Sequence, residues 1–432
     1  MFKKNSLLEM LIVDFLLFFL LVLVHGVIIY ISGSNLQTSL NKAKSTGLLY
    51  DLEEVRAKEV CKDLSPKENI AELLKSYRAE GWWSAALWTD VSQKKIEGDI
   101  EWSKEEKKLF YKVSGKFDKY GKNKEAIKNI LKKKQGTINL LYKMADCKGY
   151  YMELDKEFPL FTPMPELLKI RETAELMQVK MLVDIREGKE NEAFDDLRKM
   201  FRWNEMLNYR ASSTLLGSMI RIAVNGINLD VTDKLIKNSN LSNNNLDELL
   251  KQLIKTEKLE YEGLTSSLNM ERLLQQDIIK RGIASELENR SKTLPAKIMY
   301  NVFMYIIKPL NNIERIFQNE YFYVLIKNAK QPVFTLEKEI KIPRYFIMSN
   351  ILLPDMLKIT KQAYIERNKI RLAIVKILLK MYKNKIGFYP ENLSELKNAA
   401  GYDVPSDIMK GGDFYYKKMD KTYELKTLYE EK

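Results

Sequence analysis

A long apolar run from Leu11 to Ile31, close to the N-terminus, dominates the pattern of the chain. Its roughly 21 residues rise about 1.5 Å each, which matches a hydrocarbon core about 30 Å thick. Asp14 and His25 interrupt the run, but each lies within about two helical turns of an end. Cleavable signal peptides have shorter apolar cores of about 7–15 residues. The pattern therefore predicts a transmembrane anchor over residues 11–31 that stays attached, although the sequence around Ser32 would also tolerate cleavage.

Basic residues flank this segment unequally. Lys3 and Lys4 precede it, whereas the first basic residue after its apolar part is Lys42. Because Lys and Arg are enriched on the cytoplasmic side of membrane helices, residues 1–10 are predicted to form a cytoplasmic tail. The rest of the chain would then lie across the membrane, which is the periplasm in a bacterium with two membranes. Contact with lipid is predicted through residues 11–31.

Most of the remaining chain shows the spacing of amphipathic helices. Residues 32–64 are predicted to form a helical stalk, and residues 65–360 a helical domain. Within this domain Met164–Tyr209 is interpreted as a helical hairpin, because Gly188 breaks the pattern and Ala193 lets two helices approach closely. The hairpin is similar to one tetratricopeptide-like unit, although no clean repeat of about 34 residues follows it.

A second apolar segment, Ile298–Ile307, is too short to span a bilayer at about 10 residues. Burial inside the helical domain is the expected outcome, and contact with a membrane surface is the alternative. The prolines that follow predict irregular connections between elements, at Pro309, Pro332, Pro343 and Pro354.

The last part of the chain, residues 361–432, is predicted to contain a helix and a small α+β tail. Gly387 and Pro390 end the helical pattern, and the pair Gly411-Gly412 indicates a turn. The segments 414–417 and 422–425 have the pattern of the two strands of a β-hairpin. The sequence therefore predicts a mainly α fold: an N-terminal transmembrane helix, an array of helical hairpins and a small C-terminal β-hairpin.

The composition is that of a globular protein with a sizeable core, at 45% hydrophobic and 30% charged residues. The formal net charge of +13 comes mostly from Lys and favours anionic partners. An AT-rich genome also produces many Lys codons, and no nucleic-acid partner is expected from the charge. Cys61 and Cys147 both follow the apolar run, so they either form a disulfide in an oxidising compartment or remain two buried thiols.

Residue types that carry common catalytic chemistry are scarce. The only His is His25, inside the predicted membrane helix, which removes His-based triads and His-rich metal sites from the rest of the chain. The sequence has no glycine-rich phosphate loop. A tryptophan cluster would either bind a glycan or lie buried between helices, and consists of Trp82, Trp83, Trp88 and Trp102. No catalytic, cofactor-binding or metal-binding residue is therefore predicted.

The start of the apolar run is similar to that of type IV pilin-like proteins. Within Ser6–Val13, Glu9 stands where those proteins have a Glu that pairs with the processed N-terminal amine of a neighbouring subunit. Lys4 stands where their cleaved Gly would be, and Asp14 has no place in their pattern. The resemblance implies that Glu9 is an assembly residue.

The chain between Cys147 and Tyr423 resembles a family of membrane-anchored bacterial proteins from planctomycete- and omnitrophote-like genomes. Short motifs carry the resemblance: Cys147 with Glu153-Leu154-Asp155, Gly188 with Glu192-Ala193, Arg221-Ile222-Ala223, Lys308-Pro309-Leu310, Gln331-Pro332, Leu353-Pro354 and Gly387-x-Tyr389-Pro390-x-x-Leu393-x-x-Leu396. The segment from Asp407 to Tyr416 follows the family pattern Asp-Pro-Phe-x-Gly-x-Pro-Leu-x-Tyr, with departures at Ile408, Met409 and Asp413. The resemblance implies a place in a bacterial inner membrane and no particular activity.

The tail is also similar to the C-terminal domain of the major pseudopilins of type II secretion. The residues of this turn motif are Tyr389, Pro390, Leu393, Leu396, Asp407, Gly411 and Tyr416. Such turns bind calcium in pseudopilins, so the carboxylates of Asp403, Asp407 and Asp413 either supply oxygen ligands or only cap turns.

These features favour a membrane-tethered, non-enzymatic scaffold or envelope-assembly protein whose helical hairpins bind protein partners. A pseudopilus-associated component of type II secretion is the first alternative, suggested by Glu9 and the tail. An envelope enzyme that binds or hydrolyses a glycan is the second alternative, through a carboxylate pair and the tryptophan cluster.

Overall fold

The structure, a computed structural model, describes residues 3–46, 48, 64–75, 77–78, 98–99, 103–106, 108–109, 123–151, 165–207, 214–281, 294–335, 340–353 and 356–429. This part of the chain is mainly helical, with a small antiparallel sheet near the C-terminus and an apolar helix at the N-terminus. The predicted fold class is therefore confirmed.

The named helices follow one another along the whole chain. In order they are α1 Lys3–Ser45, α2 Ile70–Lys75, α3 Lys124–Lys133, α4 Gln135–Ala145, α5 Pro165–Arg186, α6 Glu190–Leu207, α7 Leu215–Asn238, α8 Asn243–Arg281, α9 Leu294–Ala329, α10 Ile347–Leu352, α11 Met356–Ile386 and α12 Glu395–Ala400. Strands β1 (Tyr77–Arg78) and β2 (Gly98–Asp99) pair in parallel. Strands β3 (Tyr415–Lys418) and β4 (Tyr423–Lys426) form the predicted antiparallel hairpin, with Tyr416 opposite Leu425.

The predicted hairpin around Gly188 is formed by α5 and α6. Gly188 adopts a φ of 73°, a left-handed conformation that ends a helix at low cost only for glycine. The N–H of Lys189 then donates to the carbonyl of Asp184 at 2.8 Å, which closes the turn. Ala193 is fully buried at the point where the second helix begins to pack on the first.

Two hydrophobic cores organise the described part of the chain. The first contains α2, α4, α5, α6 and α7 with the start of α8 and the C-terminal half of α11. The second contains the end of α9, the start of α11 and the middle of α8, together with Ala43 of α1. Because α8 and α11 contribute to both cores, these two long helices join them. The predicted boundary between residues 360 and 361 lies inside α11.

Helix α1 continues without a break from the apolar run into the part that was predicted to be a stalk. Leu36, Ser39 and Ala43 are buried, so this part of the helix packs against the domain instead of standing apart from it. The residues of the predicted stalk after Leu48 and before Leu64 lie outside the described residues.

Two expectations about the second apolar segment are wrong. Pro309 does not sit in an irregular connection but inside α9, which runs through it. The side chains between residues 298 and 307 were expected to be buried, yet Ile298, Met299, Val302 and Phe303 are exposed. At the proline, the neighbouring helix α1 supplies a hydrogen-bond partner from His25 to the carbonyl of Tyr305. The apolar side of α9 lies outside both cores.

Candidate membrane-coupling site

Helices α1 and α9 lie side by side in parallel and are joined by three polar contacts, which we call the rungs. His25 Nε2 lies 3.0 Å from the carbonyl oxygen of Tyr305. Asn312 Nδ2 donates to Ser32 Oγ at 3.1 Å, and Asn319 Nδ2 donates to Ser39 Oγ at 3.4 Å.

Each rung joins residues that are 280 positions apart. The next rung follows seven residues further along both helices, which is two helical turns and returns to nearly the same face. The two helices are therefore held in one register, and a residue of α9 lies at the height of the residue of α1 numbered 280 lower. Beyond the last rung, Lys42 Nζ forms an exposed ion pair with Glu320 at 3.1 Å.

The rung at His25 has a physical cause in the chemistry of Pro309. Proline has no N–H, so the carbonyl four residues earlier in a helix loses its partner, and here that carbonyl belongs to Tyr305. A carbonyl oxygen can only accept, so His25 Nε2 must carry the proton that it shares with Tyr305. The ring of His25 also packs against the ring of Tyr305, with centroids 5.2 Å apart. The only His of the chain thus serves a backbone group that the proline in the interior of α9 leaves unpaired.

The other two rungs are buried and continue into α8. Ser32, Asn312, Ser39 and Asn319 are each less than a tenth exposed. Asn319 Oδ1 accepts a hydrogen bond from Arg272 Nη1 of α8 at 3.0 Å. Burial lowers the pKa of the Arg272 guanidinium to about 10. The polar atoms therefore link α1 through α9 to α8, one of the two helices that join the two cores.

The described side chains in the apolar part of α1, from Phe15 to Val24, are exposed. Within the described residues, Phe15–Ser45 is the one helix segment that is long and apolar enough to cross a membrane. Its side chains from Phe15 to Leu21 are all more than half exposed, as expected of a helix whose surroundings are lipid. Glu9 lies within α1, but its side chain is outside the described residues, so its predicted role in assembly is not tested.

The residues of the predicted tail motif come together in one module. Tyr416 of β3 donates its hydroxyl hydrogen to the carbonyl of Pro390 at 2.7 Å. The ring of Tyr389 packs against that of Tyr423 of β4 at 4.8 Å between centroids. Gly411 adopts a φ of 78°, which places the turn before β3. Leu393 and Leu396 are buried in the first core.

Asp407 is the centre of this module and is fully buried. Its Oδ1 atom accepts from Asn368 Nδ2 of α11 and from the N–H groups of Met409 and Lys410. Its Oδ2 atom accepts from Thr427 Oγ1 and from the N–H of Leu428. These five donors make Asp407 a cap that fastens the turn and the chain end to α11.

The geometry favours turn capping over calcium binding for the tail carboxylates. Asp403 is exposed and pairs with Lys397 at 2.8 Å, and the oxygens of Asp407 already accept protein donors. Among the described residues no group of three or more His, Cys, Asp and Glu side chains could hold a metal ion.

The remaining sequence predictions fall partly outside the described residues. Cys147 is buried, and its Sγ atom lies 3.6 Å from the carbonyl oxygen of Lys143. Burial raises the pKa of this thiol to about 11, which keeps it protonated and unreactive at neutral pH. Cys61 lies outside the described residues, so the disulfide stays a prediction. The tryptophan cluster of residues 82, 83, 88 and 102 lies outside them as well.

A layer of buried charges separates the two cores where α7, α8 and α11 meet. Arg221 Nη2 donates to Glu260 Oε2 at 2.9 Å, and both side chains are almost fully buried. A β-carbon at Gly263 would collide with the Arg221 guanidinium, so this glycine makes room for the ion pair. Burial raises the pKa of Glu260, against the opposing effect of Arg221. The sequence signal for this layer is an Arg between two Ile residues in the largely apolar first half of α7.

On the α11 side of this layer, Glu257 accepts from Arg367 at 2.8 Å and from Arg371 at 3.1 Å. Glu366 has a different environment: its Oε1 atom is buried without a hydrogen-bond partner. Burial raises the pKa of Glu366 to about 7, more than Lys369 lowers it. Except for Glu366, the carboxylates of the layer are held by Arg side chains, which suits a structural role.

Comparison of the chain with models of known protein families, with curated proteins and with solved structures finds no match. The resemblances to a membrane-anchored bacterial family, to type IV pilin-like proteins and to pseudopilins therefore remain predictions. Function is accordingly inferred from the contacts of the chain itself.

Proposed function

We propose that this chain is a membrane-tethered, non-enzymatic scaffold of the bacterial envelope. Helix α1 crosses the inner membrane, residues 1–10 lie in the cytoplasm, and the helical domain lies on the other side, where it binds protein partners. The observation that carries the proposal is the continuity of α1, which is at once the apolar segment and a packed element of the domain.

The packing of α1 supports an anchor that is retained. Ser32, Leu36 and Ser39 are buried against the domain, so the residues that follow the apolar run are part of the fold. Cleavage after Ile31 would remove His25 and leave the carbonyl of Tyr305 without its donor.

The use of the buried carboxylates supports a scaffold more than a hydrolase. A glycan hydrolase needs two carboxylates that face a cleft and remain free to accept or donate protons. In the described residues Glu257 and Glu260 are instead paired with arginines inside the layer between the cores. A helical array of this kind offers concave and flat surfaces to partner proteins.

Membrane fractionation tests the tether. In washed bacterial membranes we expect the full-length chain with its N-terminus intact, and the domain should be digested by protease only from the periplasmic side. The variant Leu17→Lys with Leu21→Lys should shift the protein to the aqueous fraction, because each charge at the centre of a membrane helix costs about 2.5–3.5 kcal/mol.

The matched control carries the same two charges elsewhere. Leu216 and Ile254 are exposed apolar residues of the helical domain, so Leu216→Lys with Ile254→Lys should leave the protein in the membrane. Recovery of the intact wild-type chain in the aqueous fraction would contradict the tether.

Crosslinking in native membranes tests the scaffold role. We expect adducts between the helical domain and a small, reproducible set of proteins, with lysines of the domain as the linked residues. The same adducts should form with Glu366→Gln, which removes the titrating carboxylate of the layer. Loss of the adducts in that variant while its fold is intact, or recovery of the monomer alone, would argue against a scaffold.

A pseudopilus-associated component is the second candidate, favoured by the way the tail motif comes together around Tyr416 and Asp407. In that case copies of α1 would lie next to one another, and Glu9→Gln would reduce crosslinks between them. Unchanged crosslinks between α1 segments in Glu9→Gln would contradict this candidate.

A further inference from the structure

Helix α9 presents an apolar side that neither core covers, which we call the α9 apolar face. The side chain of Phe303 is 53% exposed and that of Met299 is 73% exposed. The members of the face recur at the spacing of one side of a helix and are Ile298, Met299, Val302, Phe303, Ile306, Leu310 and Ile313. Contiguous exposed apolar surface of this kind is unusual in soluble proteins and indicates a binding surface.

The register of the rungs places this face next to the apolar part of α1. Since each residue of α9 lies at the height of the α1 residue numbered 280 lower, Ile298 lies at the height of Phe18 and Ile313 at that of Gly33. Most side chains of α1 between Phe18 and Ile31 are exposed and apolar. The two faces therefore form one continuous apolar surface, about 22 Å long for fifteen helical steps.

A third element extends this surface at the height where the apolar part of α1 ends. The short helix α10 is fixed to α9 by a hydrogen bond from the N–H of Ser349 to Glu314 Oε1 at 2.6 Å. Its outer edge, with Tyr345 just before it, exposes Tyr345, Ile347 and Ile351, each more than 60% exposed. By the register Glu314 lies at the height of Ser34, just beyond the apolar run, where a membrane surface would be.

The hydrogen bond between His25 and Tyr305 is a second, independent indication that lipid and not water surrounds this part of α1 and α9. In water the Tyr305 carbonyl that Pro309 frees would bind solvent and need no side-chain donor. In lipid no solvent is present, and a backbone group without a partner costs several kcal/mol. The contact between His25 and Tyr305 lies at the centre of the apolar surface. A side-chain donor is required at this place only if lipid, and not water, covers the surface.

We infer that the α9 apolar face and the exposed edge at α10 lie against the lipid of the bilayer that α1 crosses, so that α9 is a second, partly inserted membrane element. The inference rests on the proposed tether. It adds that lipid of the same bilayer covers the α9 apolar face, which the tether alone does not require. Lys308 is compatible with this position, because it lies at the height of Ile28, near the end of the apolar run, where a Lys side chain is long enough to reach the membrane surface.

Photocrosslinking to lipid tests this inference with the unmodified full-length chain. The protein is reconstituted in phosphatidylcholine vesicles that contain a lipid with a diazirine on its acyl chain, and adducts are located by mass spectrometry of peptides. We expect adducts in residues 15–31 and also in residues 298–313. A diazirine close to the headgroup should label Tyr345, Ile347 and Ile351 more strongly than Ile298 and Met299.

Exposed apolar residues far from this surface provide the matched control. Leu216, Met219 and Ile254 are exposed to a similar degree as Tyr305, so random collision with lipid would label them as well. Adducts in residues 15–31 without adducts in residues 298–313 would overturn the inference and leave the tether intact. That result would also be obtained if a second copy of the chain covered the face. Absence of adducts from both segments would instead contradict the tether.

Discussion

At the scale of single residues, the roles of His25 and Pro309 depend on each other. In the membrane helix that we propose α1 to be, a His is costly, and a Pro inside a helix leaves a carbonyl unpaired. The hydrogen bond from His25 to the Tyr305 carbonyl offsets both costs. Each residue is visible in the sequence, but their pairing depends on a register between segments 280 positions apart, which no local pattern reveals.

A double-mutant cycle measures this pairing. In the wild-type background His25→Leu should lower the free energy of unfolding by about 1–3 kcal/mol, because the Tyr305 carbonyl loses its donor. In the Pro309→Ala background the restored N–H at position 309 binds that carbonyl, so His25→Leu should cost little. Unfolding of the full-length chain in lipid nanodiscs provides the measurement. An equal cost in both backgrounds would show that His25 does not serve the proline site.

At the scale of elements, the tail is fastened to α11 by Asp407. The sequence predicted the hairpin and the turn motif from Gly, Tyr and Pro positions that act locally. It did not predict which long-range partners the Asp has, because Asn368 and Thr427 belong to distant segments.

The variant Asp407→Ala should therefore loosen the tail without unfolding the helical domain. It leaves several buried donors without an acceptor, a loss of about 3 kcal/mol for the docked tail. Hydrogen exchange of β3 and β4 should become faster, while α5 and α6 stay protected. Asp403→Ala removes only an exposed ion pair with Lys397 and should leave exchange unchanged. Loss of all helical signal in Asp407→Ala would show that the tail and the domain fold as one unit.

At the scale of the whole molecule, two hydrophobic cores meet at a layer of buried charges on the helices that join them. Glu366 differs from the Arg-paired carboxylates of the layer, because its buried Oε1 atom has no hydrogen-bond partner. Burial raises the pKa of Glu366 from the ordinary value of 4.5 to about 7. Between pH 4.5 and 7 the folded chain then binds more protons than the unfolded chain, so the free energy of unfolding falls as the pH rises through this range. The stabilising contribution of protonated Glu366 is complete below pH 4.5 and is lost above pH 7.

The pH dependence of stability tests this assignment. Glu366→Gln should raise the free energy of unfolding at pH 8 by up to about 3 kcal/mol and reduce the loss between pH 5 and pH 8. Glu257→Gln is the matched control, because it removes the partner of Arg367 and Arg371 and should destabilise the protein at both pH values. A pH profile that Glu366→Gln leaves unchanged would refute the assignment.

The general architecture follows from the sequence because it depends on local signals: the length of the apolar run, the helix break at Gly188 and the alternating residues of the hairpin. The role of α9 does not follow. Its apolar segment was expected to be buried, since a short apolar run is typical of a core helix. The three rungs, of which the one at His25 lies within that segment, place α9 beside α1. The exposure of Ile298 and Met299 shows that the segment lies outside the cores.

The central claim, that α1 and α9 are parallel and in one register, is tested most directly by pairs of cysteines at the buried rungs. In full-length chains with Cys61→Ser and Cys147→Ala, the pairs Ser32→Cys with Asn312→Cys and Ser39→Cys with Asn319→Cys should form disulfides on oxidation in membranes. The same four positions in the swapped pairing lie one rung apart, about 10 Å along the helix axis. That separation exceeds the Cα distance of about 7 Å that a disulfide tolerates. The account predicts linked peptides for the matched pairs alone, and equal linkage of matched and swapped pairs would contradict it.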